Sequence, residues 1–443
     1  MRFKSFSVIA GIFLFFFSGL TTQAQFGIDA EIRPRAEAWR GYRVLQADTL
    51  KDPLFYFSQR TRLSFNFNSD ILDIKITAQD VRIWGSDNIY SSTGAFGRTA
   101  GLDLYEGWIA IRPFSNFEVK IGRQEMNYDD GRLLWNRNWN QFGLTYDMLL
   151  LAYEKDDWKV HGAFSWYNNL YSRFGLGVYP DKIRSFSMLW LSKEFGTSTR
   201  VTAISLLTGA GSPDANEVVY LKSTTGVNVF VDASGFNAHL AGYYQAGKHK
   251  DGKDVSAYAL IGKVGYKKNW FSVSGGINYL SGQNFEKDDP EGTGKYQLFD
   301  VLYGARHKFY GYMDYFVDIE SSTMGGGLND LFISFKPTFA EKHSIELAAH
   351  YFMLAGKIPD PYANSTDVFL GSYLGTEIDL VYNYNPFKFM NLQVGFGWMS
   401  QGESLEKIQN VYGTEVLEPW FSYVQLTVKP SLFKTDEKIV LRP

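Results

Sequence analysis

Arg60-Thr61-Arg62-Leu63-Ser64-Phe65-Asn66-Phe67 changes character at every step: Arg60, Arg62, Ser64 and Asn66 alternate with Thr61, Leu63, Phe65 and Phe67. Successive side chains of a strand point to opposite faces, so the stretch reads as a β-strand with one polar and one apolar side. The same period of two recurs in Asn391, Gln393, Gly395 and Gly397 against Leu392, Val394, Phe396 and Trp398. It recurs again in Glu346, Ala348 and His350 against Ile345, Leu347 and Ala349, and in Glu377, Asp379 and Asn383 against Ile378, Leu380 and Tyr382.

A soluble sandwich alternates too, so the rhythm of the connections decides. About 18 segments, mostly of ten or more residues, can be laid down, from 26–40, 54–69 and 71–86 through to 372–386, 389–402 and 418–430. Short turns at Asp70, Ser115-Asn116, Asp156, Gly196-Thr197, Ser234, Asn269, Glu341-Lys342 and Phe387-Lys388 alternate with long connections. This predicts an all-β fold: a single transmembrane antiparallel β-barrel of about 18 strands with short periplasmic turns and long extracellular loops, 16 or 20 strands staying open. In hydrocarbon every backbone N–H and C=O must be paired, so such a sheet has to close on itself. Tyr382, Tyr384, Trp158, Trp166 and Trp420 near strand ends suit aromatic girdles. A closed sheet of this size encloses water, which makes conduction the default function.

The ends and the composition agree. Arg2 and Lys4, an apolar run from Val8 to Phe17 and Thr22-Gln23-Ala24 form a signal peptide over 1–24. The domains expected are then the signal peptide 1–24, a barrel over 25–430 and a C-terminal tail over 431–443, in a Gram-negative outer membrane. Removing 1–24 leaves a formal charge of 42 − 47 = −5, with no footprint for nucleic acid. With no cysteine, thiol nucleophiles, disulfides and Cys-ligated metals are excluded. The six histidines lack metal-ligand spacing and no nucleophile elbow accompanies them. The reading is therefore not an enzyme, with no cofactor and no metal.

If the apolar parity faces lipid, the other faces the lumen. Strand 1 then offers Arg33 and Arg35 among Asp29, Glu31 and Glu37; strand 2 offers Arg60 and Arg62. Past an expected parity slip near Gln79, the third strand adds Asp80 and Arg82, and later strands add Glu106 and Arg112. Of 17 arginines after residue 24, 12 precede residue 141, so one wall should be Arg-rich. Arginine's planar fork grips carboxylates bidentately. Yet residues 25–140 carry 15 acids against 15 bases, so a lattice of structural ion pairs stands beside a ladder for an anionic polymer.

Two stretches go further. One runs through Gln59-Arg60-Thr61-Arg62-Leu63, Gln79-Asp80-Val81-Arg82-Ile83-Trp84-Gly85, Leu104-Tyr105-Glu106-Gly107-Trp108, Ile121-Gly122-Arg123-Gln124-Glu125, Asp130-Gly131-Arg132-Leu133, Trp139 and Tyr146-Asp147. The other runs from Leu302 to Phe316. With the barrel rhythm, the chain resembles the alginate export family of 18-stranded outer-membrane porins. The resemblance implies an Arg-lined constriction passing a polyuronate. Arg60, Arg62, Arg82, Arg123 and Arg132 match its arginine positions, with Glu106, Asp80 and Asp130 as ion partners. It further implies a monomer in outer-membrane lipid, delivered by the barrel assembly machinery, with Phe433 standing in for the usual terminal aromatic.

The connection 282–327 is the longest and holds Arg306, His307, Lys308, Asp314 and Asp318 among tyrosines. It reads either as an inward constriction or as an external loop. Two functions stay open: export of an anionic polysaccharide or oligosaccharide such as a polyuronate, and a general or uptake porin for oligosaccharides or small anions.

Overall fold

The computed structural model describes residues 22–47, 53–85, 102–167, 183–211, 218–285, 294–365, 367–435 and 439–441. Most of the expected signal peptide lies outside these residues. Alternating stretches become β1 (Thr22–Arg40), β2 (Leu54–Ser69), β3 (Leu72–Ile83), β4 (Leu102–Phe114), β5 (Phe117–Gln124) and β6 (Tyr146–Lys155). There follow β7 (Trp158–Trp166), β8 (Ile183–Phe195), β9 (Thr199–Gly211), β10 (Val219–Ala233), β11 (Phe236–Lys248) and β12 (Asp254–Lys268). The wall ends with β13 (Phe271–Leu280), β14 (Leu328–Phe339), β15 (His343–Met353), β16 (Tyr373–Phe387), β17 (Met390–Gln401) and β18 (Trp420–Val428).

Each strand pairs antiparallel with the next, and β1 pairs with both β2 and β18, so the sheet closes as an 18-stranded barrel. Closure leaves no sheet edge for lipid. Among the described residues no helix is long and apolar enough to cross a membrane; the crossing is made by strands.

The parity is that of a membrane barrel. Ile32, Leu63, Phe65, Ile76, Ile121 and Leu151 are exposed on the outside, whereas Arg33, Arg35, Glu37, Arg60 and Arg62 are buried inside. Exposed Phe114, Trp158, Phe195, Phe236, Trp270 and Phe387 stand beside the short turns as a girdle at the periplasmic rim. Ile76→Lys, near mid-strand on the lipid face, is expected to cost about 2–4 kcal/mol. Urea unfolding of barrels in lipid vesicles would measure it, and an unchanged midpoint would mean this face does not meet hydrocarbon.

The segment expected as a tail begins as wall. Ser431–Lys434 (β19) and Ile439–Leu441 (β20) continue past β18 along β1, with Ile28 opposite Phe433 and Thr22 opposite Leu441. β1 is 19 residues long and supplies the partner groups that draw them in. Cleavage ahead of Gln25 would remove the partners of β20, since those are Thr22, Gln23 and Ala24.

Two assigned pore arginines face the other way. The register shift lies between β3 and β4, at Thr77/Ala78, with Tyr105 as the extra residue. Thus β3 carries no slip at Gln79: Asp80 and Arg82 pair with Thr61 and Gln59, in line with Leu63 and Phe65 on the outer face. Arg123 lies opposite Gly107 and Asp147, on the same parity as outward Ile121. Both are neutralised there, Arg82 Nε by Asp80 at 2.6 Å and Arg123 Nε by Asp147 at 2.8 Å. Arg82 nears the extracellular end of its strand, where an outward charge costs only about 0–1 kcal/mol.

Candidate functional site

Among the described residues, two connections turn inward and organise the lumen. Residues 125–145 join β5 to β6, and they lie on the Arg-rich wall. Arg33 donates from Nη1 to the Asn138 carbonyl at 2.6 Å and from Nη2 to that of Asn140 at 3.0 Å. Arg35 donates to the Trp139 carbonyl at 2.9 Å, and Arg60 to the Asn138 side chain at 2.8 Å. Arg62 donates to Gln79 Oε1 at 2.7 Å and lies face-on to the Tyr105 ring, 3.3 Å from its centroid. An irregular segment inside a barrel leaves carbonyls without ladder partners, and these guanidinium forks supply donors.

Acids complete the lattice. Arg60 is fully buried and pairs with Glu31, whose other oxygen takes Lys429 at 3.0 Å. Arg35 pairs with Glu37 at 3.3 Å. Glu106 faces inward, but its partner is Lys75 at 2.6 Å and not an arginine. Arg132 belongs to the inward segment: it pairs with Asp130 at 3.4 Å, donates to Tyr310 Oη at 3.2 Å and lies over the Phe309 ring at 3.6 Å. Arg33, Arg35, Arg60 and Arg62 thus sit together beneath residues 138–142, while Arg132 is buried apart from them against Phe309 and Tyr310.

The second inward segment is residues 294–327, before β14. It docks on the first through Tyr303 N–H to the Leu133 carbonyl at 3.0 Å and Ala305 N–H to that of Gly131 at 2.9 Å. Gly304 permits this, because a Cβ there would collide with the Arg132 carbonyl. The far side docks on β16: Met313 N–H reaches Glu377 Oε1 at 2.7 Å and Tyr312 N–H reaches Asp379 Oδ2 at 3.3 Å. Gly311, at φ 80°, lies flat on the Glu377 carboxylate. Asp314 ties the segment to the β1–β2 connection, accepting from His307 Nδ1 at 2.7 Å and Arg43 at 3.2 Å. Burial alone would raise the Asp314 carboxyl, but His307, Arg43 and the Tyr42 hydroxyl hold it below its ordinary range.

Where the two segments meet, the Trp139 indole lies on the His307 imidazole, centroids 3.8 Å apart and planes within 7°. Arg35 covers Trp139 at 4.4 Å. A cavity of ≈ 270 Å³ opens toward Arg43, Arg137 and Arg306 on the loop side. Another, of ≈ 490 Å³, opens toward Asn385, Lys388 and Lys429 on the short-turn side. Both are bounded by Asn138, Trp139, His307 and Lys308, which form the partition between them. Lys308 Nζ donates to the Asp130 carbonyl at 2.7 Å and stands 4.7 Å from the Trp135 ring. Burial lowers its ammonium from the ordinary value, against the pull of Asp130.

In the sequence His307 and Lys308 belong to the longest connection and Trp139 to a separate motif, and no spacing joins them. The available signal was the run of chemistry-bearing residues inside segments that lack strand periodicity. Among the described residues, no three His, Asp or Glu side chains converge as a metal site.

A closed 18-stranded barrel with an apolar exterior and charged, inward-turned segments is an outer-membrane protein of the porin class. Residues 23–166 match the alginate export family, the family that the motifs of strands 2 to 6 and of Leu302 to Phe316 resemble. A comparison with curated proteins gives no significant match. Among solved structures, the fold is similar to Acinetobacter baumannii OccAB2, with TM-score 0.62 and 9% identity over 92% of this chain and 98% of that one. It is also similar to Pseudomonas aeruginosa OpdL, with TM-score 0.58 and 11% identity over 93% and 99%. Pseudomonas aeruginosa OccK11 (OpdR) gives TM-score 0.56 and 11% identity over 93% and 96%. At these identities the likeness is one of fold.

Proposed function

We propose that the barrel passes carboxylate-bearing saccharides, of the kind a polyuronate presents, across the outer membrane, and that Asn138, Trp139, His307 and Lys308 select them. The observation that carries this reading is the partition itself, where an ammonium and a stacked indole–imidazole pair border both cavities. A sugar acid offers the matching chemistry, an anion for Lys308 and apolar C–H groups for the edges of the stacked ring pair. The alginate export match over residues 23–166 supports the same substrate class. The buried wall arginines act indirectly in this scheme, by holding 138–142 in place and setting a positive background at the partition. A second reading, uptake of oligosaccharides or small anions, is favoured by the even balance of acids and bases in residues 25–140.

Planar-bilayer recording tests the first against the second. Oligouronates are expected to block the wild-type current in a concentration-dependent way, while neutral oligosaccharides of equal length block far less. Lys308→Ala is expected to weaken the block about tenfold, the worth of one charge-assisted contact. A current blind to oligouronate in the wild type would favour the general porin.

A further inference from the structure

A second group of cations faces the lumen far from the Arg-rich wall. Pairing across successive strands places Arg200 opposite Phe230, Phe230 opposite His239 and His239 opposite Lys263. The row continues from Lys263 to Gly276, Phe332 and His350. These positions share the inward parity, as directly opposed residues of a sheet must. Arg200 lies over the Phe230 ring at 4.4 Å, and His239 stacks on that ring with centroids 4.3 Å apart and planes within 3°. Gly276 has no side chain, and a Cβ there would press on the rim of the Phe332 ring. Phe332 therefore lies across the gap beside Lys263.

This belt faces a cavity of ≈ 520 Å³, closed on its far side by Lys308, Phe309 and Tyr312 of the inward segment. The cavity reaches Thr197 and Ser198 of a short turn, so it opens toward the periplasmic rim. Its lining carries charges of both signs, with Lys263 and Arg200 nearest the rings. Among the described residues neither Lys263 nor Arg200 makes an ion pair, and Lys263 is exposed to the lumen. Of the four acids lining the cavity, Asp130 is taken by Arg132 at 3.4 Å and His239 at 3.7 Å and Glu346 by Lys336 at 3.0 Å, whereas Glu194 and Asp232 stand toward the short-turn rim, away from Phe332. Glu194 lies opposite Arg200 at the cavity rim without reaching ion-pair distance. Uncommitted cations beside ring faces are the chemistry that holds a ring bearing a carboxylate.

We infer that the belt of Arg200, Phe230, Lys263 and Phe332 is a periplasm-facing subsite that binds a sugar acid before it reaches the partition. The inference rests on the channel reading above and adds a separate site to it. Carboxylates go to Lys263 and Arg200, and an apolar sugar face goes to Phe332.

Calorimetric titration of the full chain in detergent with digalacturonate, maltose and acetate tests it. The wild type is expected to bind digalacturonate and to bind maltose and acetate at least about tenfold more weakly. Lys263→Gln with Arg200→Gln is expected to lose about tenfold in digalacturonate affinity, while Lys263→Arg retains it. Phe332→Ala is expected to narrow the preference for digalacturonate over acetate. Unchanged affinity in the double Gln variant, with digalacturonate still blocking current at the partition, would overturn the subsite and leave the channel reading intact. No binding and no block in the wild type would overturn both. A double variant lacking heat-modifiable mobility on gels would be misfolded; Phe332→Ala then decides, and an unchanged preference in that variant would overturn the subsite.

Discussion

Arg60→Ala is expected to lower stability by about 3 kcal/mol or more, because it leaves a buried carboxylate short of its main partner. Arg60 is 0% exposed and donates from Nε to Glu31 Oε1 at 2.8 Å. It also reaches the Asn138 side chain at 2.8 Å and the Gln141 carbonyl at 3.4 Å. Lys429 still meets the second oxygen of Glu31, which keeps the loss near the lower end of the usual 3–5 kcal/mol for such truncations. The variant should also conduct more, because 138–142 loses donors and the partition loosens. Arg60→Lys should fall between, keeping the charge and losing the fork. Denaturant unfolding reads the first effect and bilayer current the second. Wild-type values for both would mean that the wall arginines do not hold the inward segment.

Replacing residues 298–322 by a short Gly-Ser linker is expected to raise single-channel conductance several-fold. That stretch contributes Phe299, Tyr310, Met313, Tyr315 and Phe316, each almost wholly buried inside the lumen. The wall strands keep every ladder partner without it, so the barrel should still close. Gly311→Val offers a milder form of the same experiment. A side chain at that position collides with the Glu377 carboxylate, and it has to displace Met313 N–H from its acceptor. Its conductance should lie between wild type and the deletion. An unchanged current in the deletion would place the conducting path away from this segment.

The resemblance carried by strands 2 to 6 put Arg82 and Arg123 in the pore, and the structure turns both to the outer face. A one-residue bulge flips every side chain beyond it. In a pattern of alternating types, the flip is visible but not the strand that bears it. Glu106 illustrates the same limit, since Lys75 is brought to it by the β3–β4 register around Tyr105. Arg33 and Arg35 were legible as inward-facing from β1 alone. That they lie under residues 138–141 was not, because the covering segment has no periodicity to read.

The wall of this protein follows from its sequence: local alternation assigns each strand two faces, and lipid, which pairs no backbone group, forces 18 such strands into a closed ring. The lumen was decided by tertiary structure. Trp139 meets His307 only because Gly304 lets one irregular segment rest on another and Glu377 and Asp379 hold the second from across the barrel. Such contacts join residues far apart in the chain through shape and unpaired polar groups, and neither leaves a repeating trace in the order of the residues.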